Sequence, residues 1–309
     1  MKHLLLFSFF VLFTFVYVGC DSKSDDTVTP PVEQDKIVNT WISEGAGVAP
    51  GLAATLKTVK ITATFNANNT YTVVAKDSSG ADVTYSGTYT VTENTGTTIR
   101  SISLNQTAPT SVTSQGIYEV NSKGMMRYEV VQTTPAISGI TAPVPAEGFG
   151  STKYLGTPLG ATWIQGFVPS APTTELLVGG WVSEGSNVAP GLILTLKTIK
   201  IVATFNANNT YTVVATDSNN VDVTYSGTFS TTANANTTIR GITLNQTIPT
   251  SVTSTGIYRV TTKDLKYEVV QTNPAITGFT APVAAEGFGS TKYNGIPLGA
   301  TWIQTFIYQ

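Results

Sequence analysis

The chain repeats itself, and that repeat limits its fold more than any other feature. Trp41-Ile42-Ser43-Glu44-Gly45 returns as Trp181-Val182-Ser183-Glu184-Gly185. The stretch from Ala63 to Tyr71 returns unchanged as Ala203 to Tyr211, and Glu147 to Tyr154 as Glu286 to Tyr293. The offset drops by one residue between Val120 and Tyr128, where Asn121–Arg127 faces the shorter Thr261–Lys266. Such a deletion belongs at a hairpin tip. The unit is far too long for a solenoid repeat, so each copy is expected to be a whole domain. The copies span 37–168 and 176–309, with 169–175 as a short, proline-stiffened linker that keeps the domains close.

Each copy reads as serial strands. Thr, Val, Ile and Tyr favour strands, and only 12% of residues are charged. In the first copy, 38–43, 59–65, 71–75, 83–91, 99–104, 116–120, 126–132 and 162–167 carry strand signals, joined mostly by short turns. No amphipathic helix stands out. This predicts an all-β chain: two tandem antiparallel up-and-down β-barrels of about eight strands each. Closure removes the exposed edges of such a meander, with the last strand, around Trp163, pairing with the first, around Trp41. An immunoglobulin-like sandwich is the rival fold.

The opening tryptophan, then Phe65-Asn-Ala-Asn-Asn-Thr-Tyr71-Thr72, then Tyr85-Ser-Gly-Thr-Tyr89, resembles the lipocalin-like domains of Bacteroidetes lipoproteins. Gly179-Gly180-Trp181 also matches the Gly-x-Trp that opens true lipocalins, whereas the first copy has Asn39-Thr40-Trp41. The resemblance implies a lipocalin-like barrel. The Thr-Asp-Tyr loop and closing-strand arginine of ligand-carrying lipocalins are not present.

The N-terminus reads as an export signal. A short basic start precedes a nearly continuous Leu, Phe and Val run over 4–18, ending in Tyr17-Val18-Gly19-Cys20. This resembles the bacterial lipobox, so 1–19 is expected to be a lipoprotein signal peptide and Cys20 the lipid attachment point. Residues 20–36, polar and Pro-containing, read as a flexible tether. The acidic run after Cys20 looks like a surface-export signal and places the protein on the outer membrane, facing outward. Asp21 directly after the cysteine has an opposing reading, inner-membrane retention.

Cys20 is the sole cysteine and His3 the sole histidine. Cleavage before Cys20 therefore leaves no histidine, which removes His-based catalytic triads and His-ligated metals. A formal net charge of -2, with Lys and Arg scattered singly, argues against a nucleic-acid partner. Glu44, Asp82, Glu129 and Glu147 are not brought together by any motif, so no carboxylate pair for glycoside hydrolysis is expected. No cofactor is called for, and no enzyme is expected.

The Asp77–Asp82 and Asp217–Asp222 stretches read as hairpin turns rather than calcium loops. The Gly-rich stretch from Glu147 to Lys153 suits an ordered flap, with Phe149 plugging a barrel end. As a ligand loop, Phe149 and Phe288 would stack on a ligand and Lys153 and Lys292 pair with an anion. Trp41, Phe65, Tyr71, Tyr85, Tyr89, Tyr118, Tyr128 and Trp163, with Trp181, Tyr211 and Trp302 in the second copy, either line a cavity or fill the barrel; filling is favoured. Ala53-Ala54 against Ile193-Leu194, and Tyr89 against Phe229, predict a fuller second barrel and a roomier first one, with the Tyr89 hydroxyl free for a ligand. Any small-molecule binding is therefore expected mainly in the first copy, with the second acting chiefly as a stability or spacing module. The expected function is a membrane-anchored envelope protein binding a small apolar molecule, a glycan or an envelope component. The alternative is a structural or adhesive surface module. Oligomeric state is left open.

Overall fold

The computed structural model describes residues 35–171, 176–234 and 237–309. The signal peptide, Cys20 and nearly all of the tether lie outside the described residues, as does the 172–175 part of the linker.

Each copy forms a closed eight-stranded antiparallel barrel. In the first, β1 (Asn39–Glu44) leads through a seven-residue helix, α1 (Pro50–Leu56), to β2 (Thr58–Phe65) and β3 (Thr70–Asp77). Then come β4 (Asp82–Thr92), β5 (Arg100–Ala108), β6 (Val112–Val120) and β7 (Met126–Thr134). A flap follows, with the short strands β8 (Ile140–Thr141), β9 (Lys153–Tyr154) and β10 (Thr157–Pro158). The last strand, β11 (Gln165–Pro169), pairs with both β7 and β1 and closes the barrel. The meander closed on itself excludes the sandwich.

The second copy repeats this order. It has β12 (Gly179–Glu184), α2 (Pro190–Leu196), β13 (Thr198–Phe205), β14 (Thr210–Asp217) and β15 (Asp222–Thr232). It continues with β16 (Arg240–Ile248), β17 (Val252–Val260) and β18 (Leu265–Asn273). Its flap holds β19 (Phe279–Thr280), β20 (Lys292–Tyr293) and β21 (Ile296–Pro297), and β22 (Gln304–Tyr308) closes it.

The sequence pattern explains these elements. Ile61, Ala63 and Phe65 are buried on one face of β2, as period-two alternation requires. Asn69 and Asn209 take left-handed backbone (φ 61° and 62°) in the turns that follow, a conformation asparagine tolerates. The one-residue deletion falls in the turns joining β6 to β7 and β17 to β18. Two expectations need correction. The closing strand starts after Trp163, which instead ends a 3-10 turn over Gly160–Trp163. Trp41 pairs with Pro169. A helix also forms in each copy: Pro50 and Pro190 supply a pre-set first turn, and Lys57 and Lys197 cap the other end in left-handed conformation.

One end of each barrel is closed. Trp41 and Trp181 are buried there and donate their indole N–H to the carbonyls of Ile37 (2.7 Å) and Leu177 (2.8 Å). Arg240, also buried, donates to the Tyr258 hydroxyl at 2.9 Å at the same end. In the first barrel Arg100 pairs with Asp35 and Glu93, and Tyr118 donates to Asp35 at 2.8 Å. The helices α1 and α2 sit at the opposite end, the mouth.

The two barrels touch. Val168 and Met125 of the first pack into the buried cluster of the second, against residues such as Leu177 and Trp181. The Lys123 ammonium donates to the Val178 carbonyl at 2.9 Å and lies 3.8 Å from the Tyr308 ring centre. Glu44 faces Arg259 at 3.7 Å and accepts from Thr238. On the second barrel these residues belong to the closed end, so its mouth is the end remote from these contacts.

Candidate functional site

The second barrel encloses a cavity of about 570 Å³. Its deep wall holds Phe205, Tyr211, Leu244, Tyr267 and Phe306; Ala203, Val213, Ala215 and Val269 line it further along. Around the mouth stand Leu192, Leu196, Tyr225, Ile276, Phe279 and Trp302. This size lies within the usual range for ligand pockets, roughly 300–1,000 Å³. The expectation that side chains fill the barrel therefore fails for the second copy.

The wall is set by strand alternation: Tyr211, Val213 and Ala215 share one face of β14, and Leu265, Tyr267 and Val269 one face of β18. Aromatic packing fixes the deep end. The rings of Phe205 and Phe229 meet edge-on at 5.2 Å, and those of Tyr267 and Phe306 at 6.0 Å. Burial raises the pKa of both Tyr211 and Tyr267; for Tyr267 the neighbouring Tyr211 adds to it. Both stay neutral hydroxyls well above neutral pH. Gln304 is held elsewhere: its carbonyl accepts from the Ala189 N–H at 2.8 Å and its amide donates to the Ser183 hydroxyl.

The predicted site residues divide between two surfaces. Tyr211 and Trp302 line the cavity. Trp181 lies beneath it, in the closed end. Their first-copy counterparts Trp41 and Tyr71 are buried in that barrel's core. Trp163 packs under Gly51 of α1, as Trp302 does under Gly191 of α2. Tyr89 is also in the core, but its hydroxyl donates to the Asn66 carbonyl at 2.9 Å and is not free for a ligand.

Phe149 does not plug a barrel end. Met126, Tyr128 and Val130 face the first interior, so Arg127 and Glu129 face outward. Phe149 sits on that outer wall, 4.2 Å from the Arg127 guanidinium. Phe288 lies likewise near Arg259, at 5.7 Å. Lys153 and Lys292 pair with Glu147 (2.8 Å) and Glu286 (2.9 Å) of their own flaps. The backbone of the Gly-rich flap instead serves the barrel's own carboxylate. Glu129, fully buried, accepts from the N–H groups of Gly150 (2.6 Å) and Thr152 (2.9 Å), and Glu268 repeats this with Gly289 and Thr291.

The other carboxylates are separately engaged: Glu44 with Lys60 and Arg259, Asp82 with Lys76, Glu147 with Lys153. Asp77 accepts from Ser79 and from the Ala81 N–H, which holds its carboxyl below the ordinary range; Asp217 closes its turn through Val221 and Asn219 with the same effect. Among the described residues, no group of three or more His, Cys, Asp or Glu is placed to hold a metal. No described helix is long and apolar enough to cross a membrane.

The expectation of a fuller second barrel also fails in its premise. Ala53 and Ala54 are exposed on α1, and Leu194 is 72% exposed on α2. Ala81 and Ala108 likewise become Val221 and Ile248, both exposed at the same end. The copies thus differ at the mouth, where the second carries an apolar collar. Phe306 was not among the predicted site residues, whereas Phe205 and Tyr267 were foreseen only through their first-copy counterparts Phe65 and Tyr128. The signal for Tyr267 was the alternation of 265, 267 and 269.

Comparison with protein-family models, with curated proteins and with solved structures finds no match to this chain.

Proposed function

We propose that this chain is a lipid-anchored envelope protein whose second barrel carries a small apolar molecule. The observation that supports it is the 570 Å³ cavity, walled by aliphatic and aromatic side chains and ringed by an apolar collar. An exposed collar costs solubility unless something uses it, and an apolar molecule entering the mouth would. The reading agrees with the resemblance to lipocalin-like lipoprotein domains. The anchor is Cys20, and the acidic stretch after it favours the outer face of the outer membrane.

The test is binding of an environment-sensitive apolar dye, N-phenyl-1-naphthylamine, by the chain without its signal peptide. Fluorescence should rise with saturable binding, and Ala215→Trp, which fills the cavity, should abolish it. Absence of saturable binding by the parent chain would turn the reading to the structural or adhesive module. The anchor has its own test. Cys20→Ser should release the protein from the membrane fraction, because acylation needs that thiol; retention there would refute the anchor.

A further inference from the structure

The cavity wall carries no charged side chain: each lining residue is aliphatic, aromatic, hydroxylic or an amide. An ion brought inside would lose its hydration without gaining a partner. The amides are already committed. Gln304 is held by Ser183 and Ala189, while Gln246 and Gln271 donate to the Thr250 (2.9 Å) and Pro274 (2.7 Å) carbonyls at the mouth. Two hydroxyls remain at depth, those of Tyr211 and Tyr267. Among the described residues neither has a hydrogen-bond partner, and Tyr211 lies near enough to Tyr267 to help raise its pKa. Both hydroxyls face the open cavity, so the oxygen of a bound molecule can accept from them. The mouth gives an anion no cationic cluster: Lys197 shares that end with Asp217 and Asp222.

We infer that the cargo is a neutral, largely apolar molecule that enters oxygen-first, its acceptor oxygen held deep in the second barrel by the Tyr211 and Tyr267 hydroxyls. A long-chain alcohol, ester or ketone fits this chemistry, and a carboxylate does not. The inference rests on the carrier reading above.

The experiment is competition against bound N-phenyl-1-naphthylamine, using 1-hexadecanol, methyl palmitate and palmitate at pH 8. The alcohol and ester should displace the dye, with palmitate weaker by about tenfold or more. Tyr211→Phe and Tyr267→Phe should each weaken the alcohol and ester by about two- to tenfold, measured relative to each variant's own dye affinity. An unchanged far-UV circular dichroism spectrum shows that the variants are folded. Palmitate competing as well as the alcohol would overturn the inference, as would a Tyr211→Phe/Tyr267→Phe double variant with unaltered competition. Either result leaves the carrier reading standing. Failure of the dye itself to bind overturns the carrier reading and this inference with it.

Discussion

At the residue scale, buried tyrosines make the barrels sensitive to alkali. Burial raises the pKa of Tyr118, Tyr128, Tyr258 and Tyr267 above the ordinary tyrosine value of about 10. The folded chain therefore holds these protons more tightly than the unfolded one. Their contribution is intact below about pH 10 and is lost as pH climbs past it toward the folded values. In an absorbance titration at 295 nm these four should stay silent through the ordinary tyrosine range. They should then ionise in one steep step, together with loss of near-UV circular dichroism. Buried tyrosines that titrate early, with the fold intact, would show an interior open to hydroxide. Much of this was legible in the sequence. The alternation that buries Tyr71 and Tyr211 is plain. The orientation of Ala53-Ala54 was not, because a seven-residue helix shows no clear face in sequence.

At the element scale, the flap is fastened to the outer wall by one carboxylate per barrel. Glu268 faces away from the cavity, is buried, and accepts from Gly289, from the Thr291 N–H and from the Thr291 hydroxyl. Its neighbour across the strands, Ile257, is buried as well. Glu268→Gln replaces one acceptor oxygen with an NH2 that faces donors. A hydrogen bond to a charged group is worth about 1.5–3 kcal/mol, and a stranded buried donor costs about as much again. The variant should loosen residues 274–299 first, seen as faster amide exchange there while the barrel strands stay protected. Uniform exchange across barrel and flap would mean that the flap is not a separate unit. The sequence marked this segment as an ordered flap but could not place it. Gly148, Phe149 and Gly150 suit a ligand loop and a carboxylate cradle equally. Only the fold reveals that Glu129 lies opposite them.

At the scale of the whole molecule, the two barrels are not equivalent, although their sequences nearly are. The first barrel's core cluster consists of its own residues, from Ile37 to Phe167. The second barrel's includes Val168 from the first, with the partly buried Met125 packed against it. Val168 is 4% exposed, whereas Ile307, at the same place in the second copy, is 47% exposed. The contact is head-to-tail: the closed end of one barrel stands on the flank of the other. It should not propagate along a chain of copies, since Arg259, which meets Glu44, corresponds to Glu119 in the first barrel. The first barrel thus supplies part of the floor beneath the cavity.

The halves should therefore behave differently when separated. Every strand pairing stays within its own copy, so 35–171 and 176–309 should each fold and unfold cooperatively. The first half should keep nearly the stability it has in the intact chain. The second half, its floor uncovered, should be weaker. Fully burying an aliphatic side chain is worth about 1.5–3 kcal/mol, so losing Val168 and Met125 sets a few kcal/mol as the upper scale. Calorimetry should show a lower Tm for 176–309 alone than for the second barrel in the intact chain. Val168→Asp in the intact chain should reproduce that drop, because it buries an unpaired carboxylate against Leu177 and Trp181. Both results together assign the loss to the floor rather than to the cut. If 176–309 alone is as stable as in the intact chain, the second barrel completes its own core and the first contributes only position.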